Sequence, residues 1–240
     1  MKKDTIFAQK LATVKDFKFD KKVANVFPDM IQRSIPGYNT LISNIGIIAN
    51  KYSKENSNIY DLGCSTGAVT QSICHRTKKA GCTIHAVDNS IEMLEKAKIT
   101  LANEDYPIPV KFHHEDVCDL LIENASVVVM NFTLQFITPS KRQPLIKNIY
   151  ENLIPGGILI ISEKVLMHNE IHELVDNLHL EFKRDQGYSE LEISQKRTSL
   201  ENVMLLDPFD THISRLQDIG FKNAHSWFNC FNFYSFLAIK

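Results

Sequence analysis

The stretch that decides the fold is Asn58-Ile-Tyr-Asp-Leu-Gly-Cys-Ser-Thr-Gly67. Its first five residues form a short apolar strand, and Gly63 and Gly67 follow where a strand would turn into a helix. Glycine lets the backbone approach a ligand closely, and open α/β sheets bind ligands beyond the carboxyl ends of their strands. The dinucleotide fingerprint G-x-G-x-x-G is not met, because Ser65 takes its middle position and no third glycine follows. The stretch therefore predicts a ligand-binding turn without a pyrophosphate cradle.

Strands and helices alternate along the chain from this turn onward. We predict four further strands, at residues 83–88, 110–114, 125–131 and 158–162. Helices are predicted at 68–77, from a capping box of Asn89 and Glu92, and at 139–153, where proline takes the first position. The alternation predicts an α/β fold with a doubly wound, mostly parallel, Rossmann-like sheet.

Both ends of the chain depart from the alternation. Residues 1–20 are polar and without pattern, and helices are predicted at 21–31 and 39–52. A helical insertion contains a capping box of Ser189 and Glu192, and a later helix runs from Asp207 to Gly220. The last runs, 224–228 and 232–239, are too close together for a crossover helix and predict an antiparallel hairpin. We expect a single domain over 1–240, divided into an N-terminal arm and helices (1–57), a core sheet (58–162), a helical insertion (163–206), and a final helix and hairpin (207–240).

Charge, apolar runs and cysteines limit the possible partners. The chain has 27 Lys and Arg against 28 Asp and Glu, which argues against direct nucleic-acid binding. No apolar run is long enough for a membrane span or a signal peptide, so we expect a cytoplasmic protein without a membrane partner. The five cysteines form no C-x-x-C pair, and His168 and His172 lack the glutamate of H-E-x-x-H. We therefore expect no metal.

Polar residues follow three more of the predicted strands. Asp88 ends the second strand, Asp116 lies just beyond the third, and Asn131 ends the fourth. An acidic residue at the position of Asp88 can accept hydrogen bonds from both ribose hydroxyls. With the glycine turn, which is similar to the D/E-x-G-x-G-x-G signature of S-adenosylmethionine (SAM) methyltransferases, these residues predict a SAM site. A parallel sheet closed by an antiparallel hairpin is also the arrangement of class I methyltransferases.

Longer stretches make the resemblance more specific. Residues 30–38, 60–65, 87–90, 130–136 and 182–204, the last including Gly187-Tyr-Ser-Glu-Leu-Glu-Ile-Ser-Gln-Lys-Arg197, resemble the carboxy-S-adenosyl-L-methionine (carboxy-SAM) synthase family. The resemblance implies a homodimeric enzyme that converts SAM and prephenate to carboxy-SAM and phenylpyruvate. It also implies that the product passes to a separate tRNA carboxymethyltransferase, which makes the wobble uridine 5-oxyacetic acid.

The resemblance also assigns residues to the site. It implies that Arg197, reaching in from the other subunit, binds the added carboxylate and is the catalytic residue. The residues implied to contact the rest of carboxy-SAM are Tyr38, Gly63, Cys64, Ser65, Asp88, Asn89, Asp116, Val117 and Asn131.

The chemistry agrees with an arginine in this position. Carboxylating the SAM methyl group requires a carbanion-like ylide, a source of CO₂ and a cation for the new carboxylate, which the planar guanidinium fork suits. Decarboxylation of prephenate could supply both the CO₂ and, as departing hydroxide, the base, so we nominate no His-Asp or Cys-His pair. Arg33 and Arg184 are further candidate cations. Two alternatives stay open: an ordinary small-molecule SAM methyltransferase, and a non-catalytic SAM-binding subunit of a tRNA-modifying complex.

Overall fold

The computed structural model describes residues 2–102, 104–167 and 170–240, and these form a seven-stranded sheet with the strand order β3-β2-β1-β4-β5-β7-β6. Strands β1 to β5 pair in parallel, whereas β7 runs antiparallel between β5 and β6. The mostly parallel sheet and its C-terminal hairpin are thereby confirmed. The strands are β1 Asn58–Leu62, β2 Thr83–Asp88, β3 Val110–His114, β4 Ala125–Asn131, β5 Leu153–Lys164, β6 Asn223–Cys230 and β7 Phe233–Ile239.

Helices cover both faces of the sheet, because the residues of its central strand are apolar on both sides. In β4 every residue but the last is buried, as is typical of parallel strands between two helical layers. One core packs α5 and α8 against one face, and the other packs α2 and α3 against the opposite face. The helices are α1 Lys21–Gln32, α2 Tyr38–Tyr52, α3 Ala68–Cys74, α4 Ile91–Leu101, α5 Pro139–Asn152, α6 Glu170–Asp185, α7 Glu190–Leu200 and α8 Phe209–Ile219.

Two predictions of local structure are wrong. The fifth strand begins at Leu153 instead of residue 158, since Leu153 already pairs with Ala125; Gly156, with φ 76°, then lies inside the strand beside a register shift. The cap of α4 is Ser90 and not Asn89, because the Ser90 hydroxyl accepts the Met93 N–H at 3.2 Å. The second predicted capping box, at Ser189, is confirmed.

The N-terminal arm has no helix or strand among its described residues, yet it packs tightly on α7. The side-chain amide of Gln195 donates to the carbonyls of Phe7 and Gln9, both at 2.9 Å. The Phe17 N–H donates to the Ser199 carbonyl at 2.8 Å, and both phenylalanines are buried. The arm and α7 therefore form one wall of the protein, which the polar sequence of the arm did not predict.

Arg142 ties α5 to the segment that follows α7. It is 1% exposed, its Nη1 lies 2.8 Å from Asp207 Oδ2, and its Nη2 donates to the Leu205 carbonyl at 2.7 Å. We predict that Arg142→Leu lowers the free energy of unfolding by about 3–5 kcal/mol, because it removes one partner of a buried ion pair. Urea denaturation measures this change. Lys147→Leu on the same helix, where the cation is exposed, is the control and should shift stability by about 0.5 kcal/mol or less; equal losses would contradict the prediction.

Candidate functional site

A cavity of about 800 Å³ lies at the carboxyl ends of the parallel strands. The turn after β1 and the ends of β2 and β4 form one side, and α1, α6, α7 and part of the arm form the other. The structure brings all ten residues nominated from the sequence to this single cavity: Tyr38, Gly63, Cys64, Ser65, Asp88, Asn89, Asp116, Val117, Asn131 and Arg197. Their contacts with a ligand stay a prediction.

The glycine turn has a backbone that side chains tolerate poorly. Gly63 takes φ 78°, and a Cβ added there would lie 2.3 Å from Thr133 Oγ1, so only glycine fits. Its N–H and that of Cys64 donate to the Val87 carbonyl at 2.8 and 2.9 Å, which fixes the turn against β2. Ser65, at φ 51°, adopts the left-handed conformation that glycine holds without strain. Ser65 therefore takes the place of the middle glycine of the signature and keeps a backbone conformation typical of glycine.

Asp88 is held with its carboxylate facing the cavity. One oxygen accepts the Ser65 N–H at 2.8 Å, and the other accepts the Ser90 N–H at 2.9 Å. Burial raises the pKa of Asp88, while these two N–H groups and His114 oppose the rise. Each carboxylate oxygen keeps acceptor capacity beyond its one backbone donor. The arrangement can accept hydrogen bonds from two neighbouring hydroxyls, as a ribose presents them.

An unsatisfied acceptor lies at the end of β4, two strands from Asp88 on the same edge of the sheet. Asn131 Oδ1 is buried, borders the cavity, and has no hydrogen-bond partner among the residues that the structure describes. Buried polar atoms are nearly always hydrogen-bonded, so this oxygen fits a ligand that brings N–H or O–H donors. SAM, with its ribose hydroxyls, adenine amino group and ammonium group, is such a ligand.

The cavity also has a cationic wall. Lys164 ends β5, Lys183 lies on α6, and Lys196 and Arg197 are neighbours on α7. Lys164 Nζ is 3.6 Å from Asp176, and Lys196 Nζ donates to Ser34 Oγ at 2.9 Å. Burial lowers the pKa of Lys183 to about 8 and that of Lys196 to about 7. None of the three lysines was predicted from the sequence, because a lysine at a strand end or on a polar helix is indistinguishable there from a solvent-exposed residue.

A histidine and an aspartate also meet in the cavity wall, where the sequence analysis nominated no such pair. His172 Nε2 lies 3.5 Å from Asp176 Oδ2, one turn apart on α6. Asp176 also contacts Lys164 and accepts from Asn232 Nδ2 at 3.2 Å. The spacing of four residues between His172 and Asp176 on a predicted helix could have indicated this pair. This aspartate therefore holds three neighbours in place.

The other candidates from the sequence lie elsewhere. Arg33 donates to the Gln186 carbonyl and pairs with Asp29, and Arg184 pairs with exposed glutamates, so neither borders the cavity. His168 lies outside the described residues. Across residues 2–102, 104–167 and 170–240, no cluster of three His, Cys, Asp or Glu side chains could hold a metal ion. No helix in this part of the chain is long and apolar enough to cross a membrane.

Comparison with known proteins identifies the family. The sequence model of the methyltransferase domain matches residues 59–157. The carboxy-S-adenosyl-L-methionine synthase of Aeromonas salmonicida (strain A449) is 54% identical over 239 residues, which cover 99% of this chain and 97% of that protein. The chain belongs to the carboxy-SAM synthase family. The protein of the same name from Psychromonas ingrahamii (strain DSM 17664 / CCUG 51855 / 37) is 50% identical over 240 residues, covering 100% of this chain and 99% of that one.

Solved structures confirm the fold of this family member. A putative S-adenosyl-L-methionine-dependent methyltransferase from Methanococcus maripaludis superimposes with a TM-score of 0.60, at 22% identity, over 95% of this chain and 96% of that one. An O-methyltransferase family protein from Burkholderia thailandensis gives a TM-score of 0.65 at 15% identity, over 92% and 60%. The class I methyltransferase type predicted from the hairpin is therefore confirmed.

The environment of Asp88 leads to a test of SAM binding. We expect Asp88→Ala to weaken SAM by roughly 100-fold, since it removes two charge-assisted hydrogen bonds worth about 3 kcal/mol together. Isothermal titration calorimetry measures the affinity. Asp119→Ala, an exposed aspartate that does not border the cavity, is the matched control and should bind SAM normally. A loss of less than about threefold in Asp88→Ala would count against this placement of the ribose.

Proposed function

We propose that this chain converts SAM and prephenate to carboxy-SAM and phenylpyruvate. The observation that carries the proposal is the lining of the cavity, which combines acidic and amide groups at the strand ends with Arg197, Lys164, Lys183 and Lys196. An ordinary methyl transfer brings the cationic sulfonium to a nucleophile and has no use for a cationic wall. A reaction that starts from a dicarboxylate and leaves a new carboxylate on SAM needs such a wall. Relatives at 50–54% identity carry the name of this synthase.

The proposed reaction needs no external base. Prephenate loses one carboxylate as CO₂ and its ring hydroxyl as hydroxide, and the ring becomes aromatic. The hydroxide takes a proton from the SAM methyl group and becomes water, which leaves a sulfonium ylide. The ylide carbon then forms a bond to CO₂, so one carboxylate is transferred without an oxidant or reductant. This route requires the reacting atoms to be shielded from water, because free CO₂ and hydroxide would otherwise escape into solvent.

The residues divide between the two ends of SAM in this proposal. Asp88 and Asn89 hold the ribose, Asp116 and the backbone of Val117 hold the adenine, and Arg197 holds the new carboxylate. The remaining contacts, to the amino acid part and the sulfur region, come from Tyr38, Gly63, Cys64, Ser65 and Asn131. Burial raises the pKa of the Cys64 thiol well above its ordinary value, so we assign this cysteine a packing and backbone role.

Mass spectrometry of the reaction products tests the activity, and Arg197 tests its site. SAM incubated with prephenate and the protein should gain one CO₂, with an equal amount of phenylpyruvate; SAM that only loses its methyl to an acceptor would identify a methyltransferase instead.

Arg197→Ala should weaken the binding of carboxy-SAM by about 2–5 kcal/mol and leave SAM binding unchanged, because only carboxy-SAM has the added group. The control Arg184→Ala removes a surface arginine outside the cavity. Equal weakening of both ligands would contradict this assignment.

We also propose a homodimer through α6. Its residues Ile171, Leu174 and Leu178 are 51%, 57% and 41% exposed and recur along one side of the helix, while its other side borders the cavity. An exposed apolar stripe of this kind favours association, and a second copy can cover it symmetrically. Arg197 borders the cavity of its own chain; its contribution to the partner's cavity stays a prediction.

Light scattering on Leu174→Lys tests the dimer. We expect this variant to have the mass of one chain, because a charge inside an apolar interface is costly; Ile99→Lys, at another exposed apolar residue, should stay dimeric. An unchanged mass would contradict the proposed interface.

Mixed dimers of Arg197→Ala and Asp88→Ala test whether the subunits share a site. If Arg197 reaches into the partner's cavity, each mixed dimer has one intact composite site and regains activity. If Arg197 serves its own chain, no activity returns.

We further propose that the protein acts in the cytoplasm without binding tRNA or a membrane itself. The near-equal numbers of acidic and basic residues support this view, since phosphate contacts require an excess of basic groups. The product would then pass to a separate tRNA carboxymethyltransferase.

A further inference from the structure

The cationic wall carries more positive charge than its carboxylates neutralise. Lys164, Lys183 and Arg197 influence one another electrostatically, and Asp176 is the carboxylate that opposes them. Asp176 already contacts Lys164 at 3.6 Å and His172 at 3.5 Å. Three positive charges therefore share one carboxylate, within the described part of the chain.

Neither Arg197 nor Lys183 has an ion-pair partner among the described residues, and Lys183 is the less exposed of the two. Within the described residues no carboxylate lies within 4 Å of its Nζ, and Lys164 and Arg197 repel it. Burial contributes most to lowering its pKa to about 8. A half-buried ammonium without a counterion, as at Lys183, lowers stability unless a partner arrives. Because Lys183 borders the cavity, a bound anion can be that partner.

Lys196 extends the wall toward the arm. It is 6% exposed, its Nζ donates to Ser34 Oγ at 2.9 Å, and it lies 5.5 Å from the centre of the Tyr188 ring. The carboxylates behind it are engaged: Asp4 accepts from the Tyr188 hydroxyl at 2.6 Å, and Asp29 pairs with Arg33. Its positive charge is therefore also available to the cavity.

We propose that Lys164, Lys183 and Lys196 bind the carboxylate that the second substrate keeps, with Lys183 as its principal contact, while Arg197 receives the carboxylate that is transferred. The inference rests on the proposed function and names the subsite of its dicarboxylate substrate. A carboxylate that is retained needs a strong anchor throughout, whereas the one that is lost as CO₂ must be free to leave. The lysines and Arg197 together supply enough cations for both carboxylates. Phe233 and His179, in edge-to-face contact at 4.9 Å, also border the cavity.

The subsite has a pH dependence of known sign. Anion binding favours protonated lysines, so the complex raises the pKa of Lys183 and Lys196 from about 8 and 7. Affinity should be full below about pH 7 and fall as the pH rises through 8, with proton uptake on binding in that interval. Burial lowers the pKa of His179 to about 3, so its imidazole is neutral there. The charged groups that face these lysines are Asp4, Asp29, Arg33, Lys164, Asp176 and Arg197.

Lys183→Met tests the subsite by calorimetry with prephenate and the S-adenosylhomocysteine-loaded protein, which lacks the reactive methyl group. We expect roughly 10- to 100-fold weaker prephenate binding, unchanged affinity for S-adenosylhomocysteine, and an unfolding midpoint no lower than that of the parent protein, because an unpaired, half-buried charge is gone. Lys183→Arg keeps the charge and should retain most of the affinity. The control Arg184→Met changes the next residue on α6, which lies outside the cavity.

Two outcomes would overturn the subsite: prephenate affinity unchanged in Lys183→Met, or a parallel loss of nucleoside binding and stability that marks a structural residue. If Lys183→Met does not fold, proton uptake by the parent protein decides, since none at about pH 8 also overturns the proposal. The activity is judged separately. A parent protein that binds prephenate through Lys183 but forms no carboxy-SAM would refute the proposed function and leave the subsite standing. If Lys183→Met makes carboxy-SAM with an unchanged KM for prephenate, the proposed function stands and the subsite is refuted.

Discussion

The carboxylate of Asp88 is the constraint on which the nucleoside side of the cavity depends. It accepts one N–H from the turn after β1 and one from the start of α4, so it joins two loops that belong to neighbouring strands. Together with the N–H groups of Gly63 and Cys64 on the Val87 carbonyl, that link holds the left-handed backbone at Ser65 in place. The same oxygens face the cavity. In the proposed function Asp88 therefore serves both as a structural link and as a ligand acceptor, which accounts for an acidic residue at the end of β2.

The sequence predicted the strand-end side of the site well, because its geometry follows from topology. In a parallel sheet the carboxyl ends of neighbouring strands share one edge, so Asp88, Asp116 and Asn131 had to meet once their strands were recognised. The cap of α4 moved by one residue because Asp88 takes the Ser90 N–H, which makes Ser90 the better cap. The early start of β5 depends on pairing with β4 across a register shift, a tertiary effect that no local pattern contains.

The other side of the cavity escaped prediction for a different reason. Lys183 and Lys196 lie on helices with ordinary polar sequences, and their burial arises only when α6, α7 and the arm pack together. The arm itself looks unstructured, yet Gln195 holds two of its carbonyls and Phe17 pairs with the Ser199 carbonyl. These contacts join residues more than 180 positions apart. Periodicity within a window cannot report them, whereas the resemblance identified Arg197 because it compares whole stretches.

The contrast between the two sides gives the cavity its chemistry. The strand-end side offers acceptors, which suit a ligand with hydroxyl and amino donors and a positive sulfonium. The helical side offers buried ammonium groups whose lowered pKa values show that burial opposes their charge. Such groups lower the stability of the free protein, and an anion that binds there relieves the repulsion. In the proposed reaction this contrast orients the two substrates, with the sulfonium of SAM near the acceptors, the anionic substrate near Lys183 and Lys196, and the methyl group and the departing carboxylate between them.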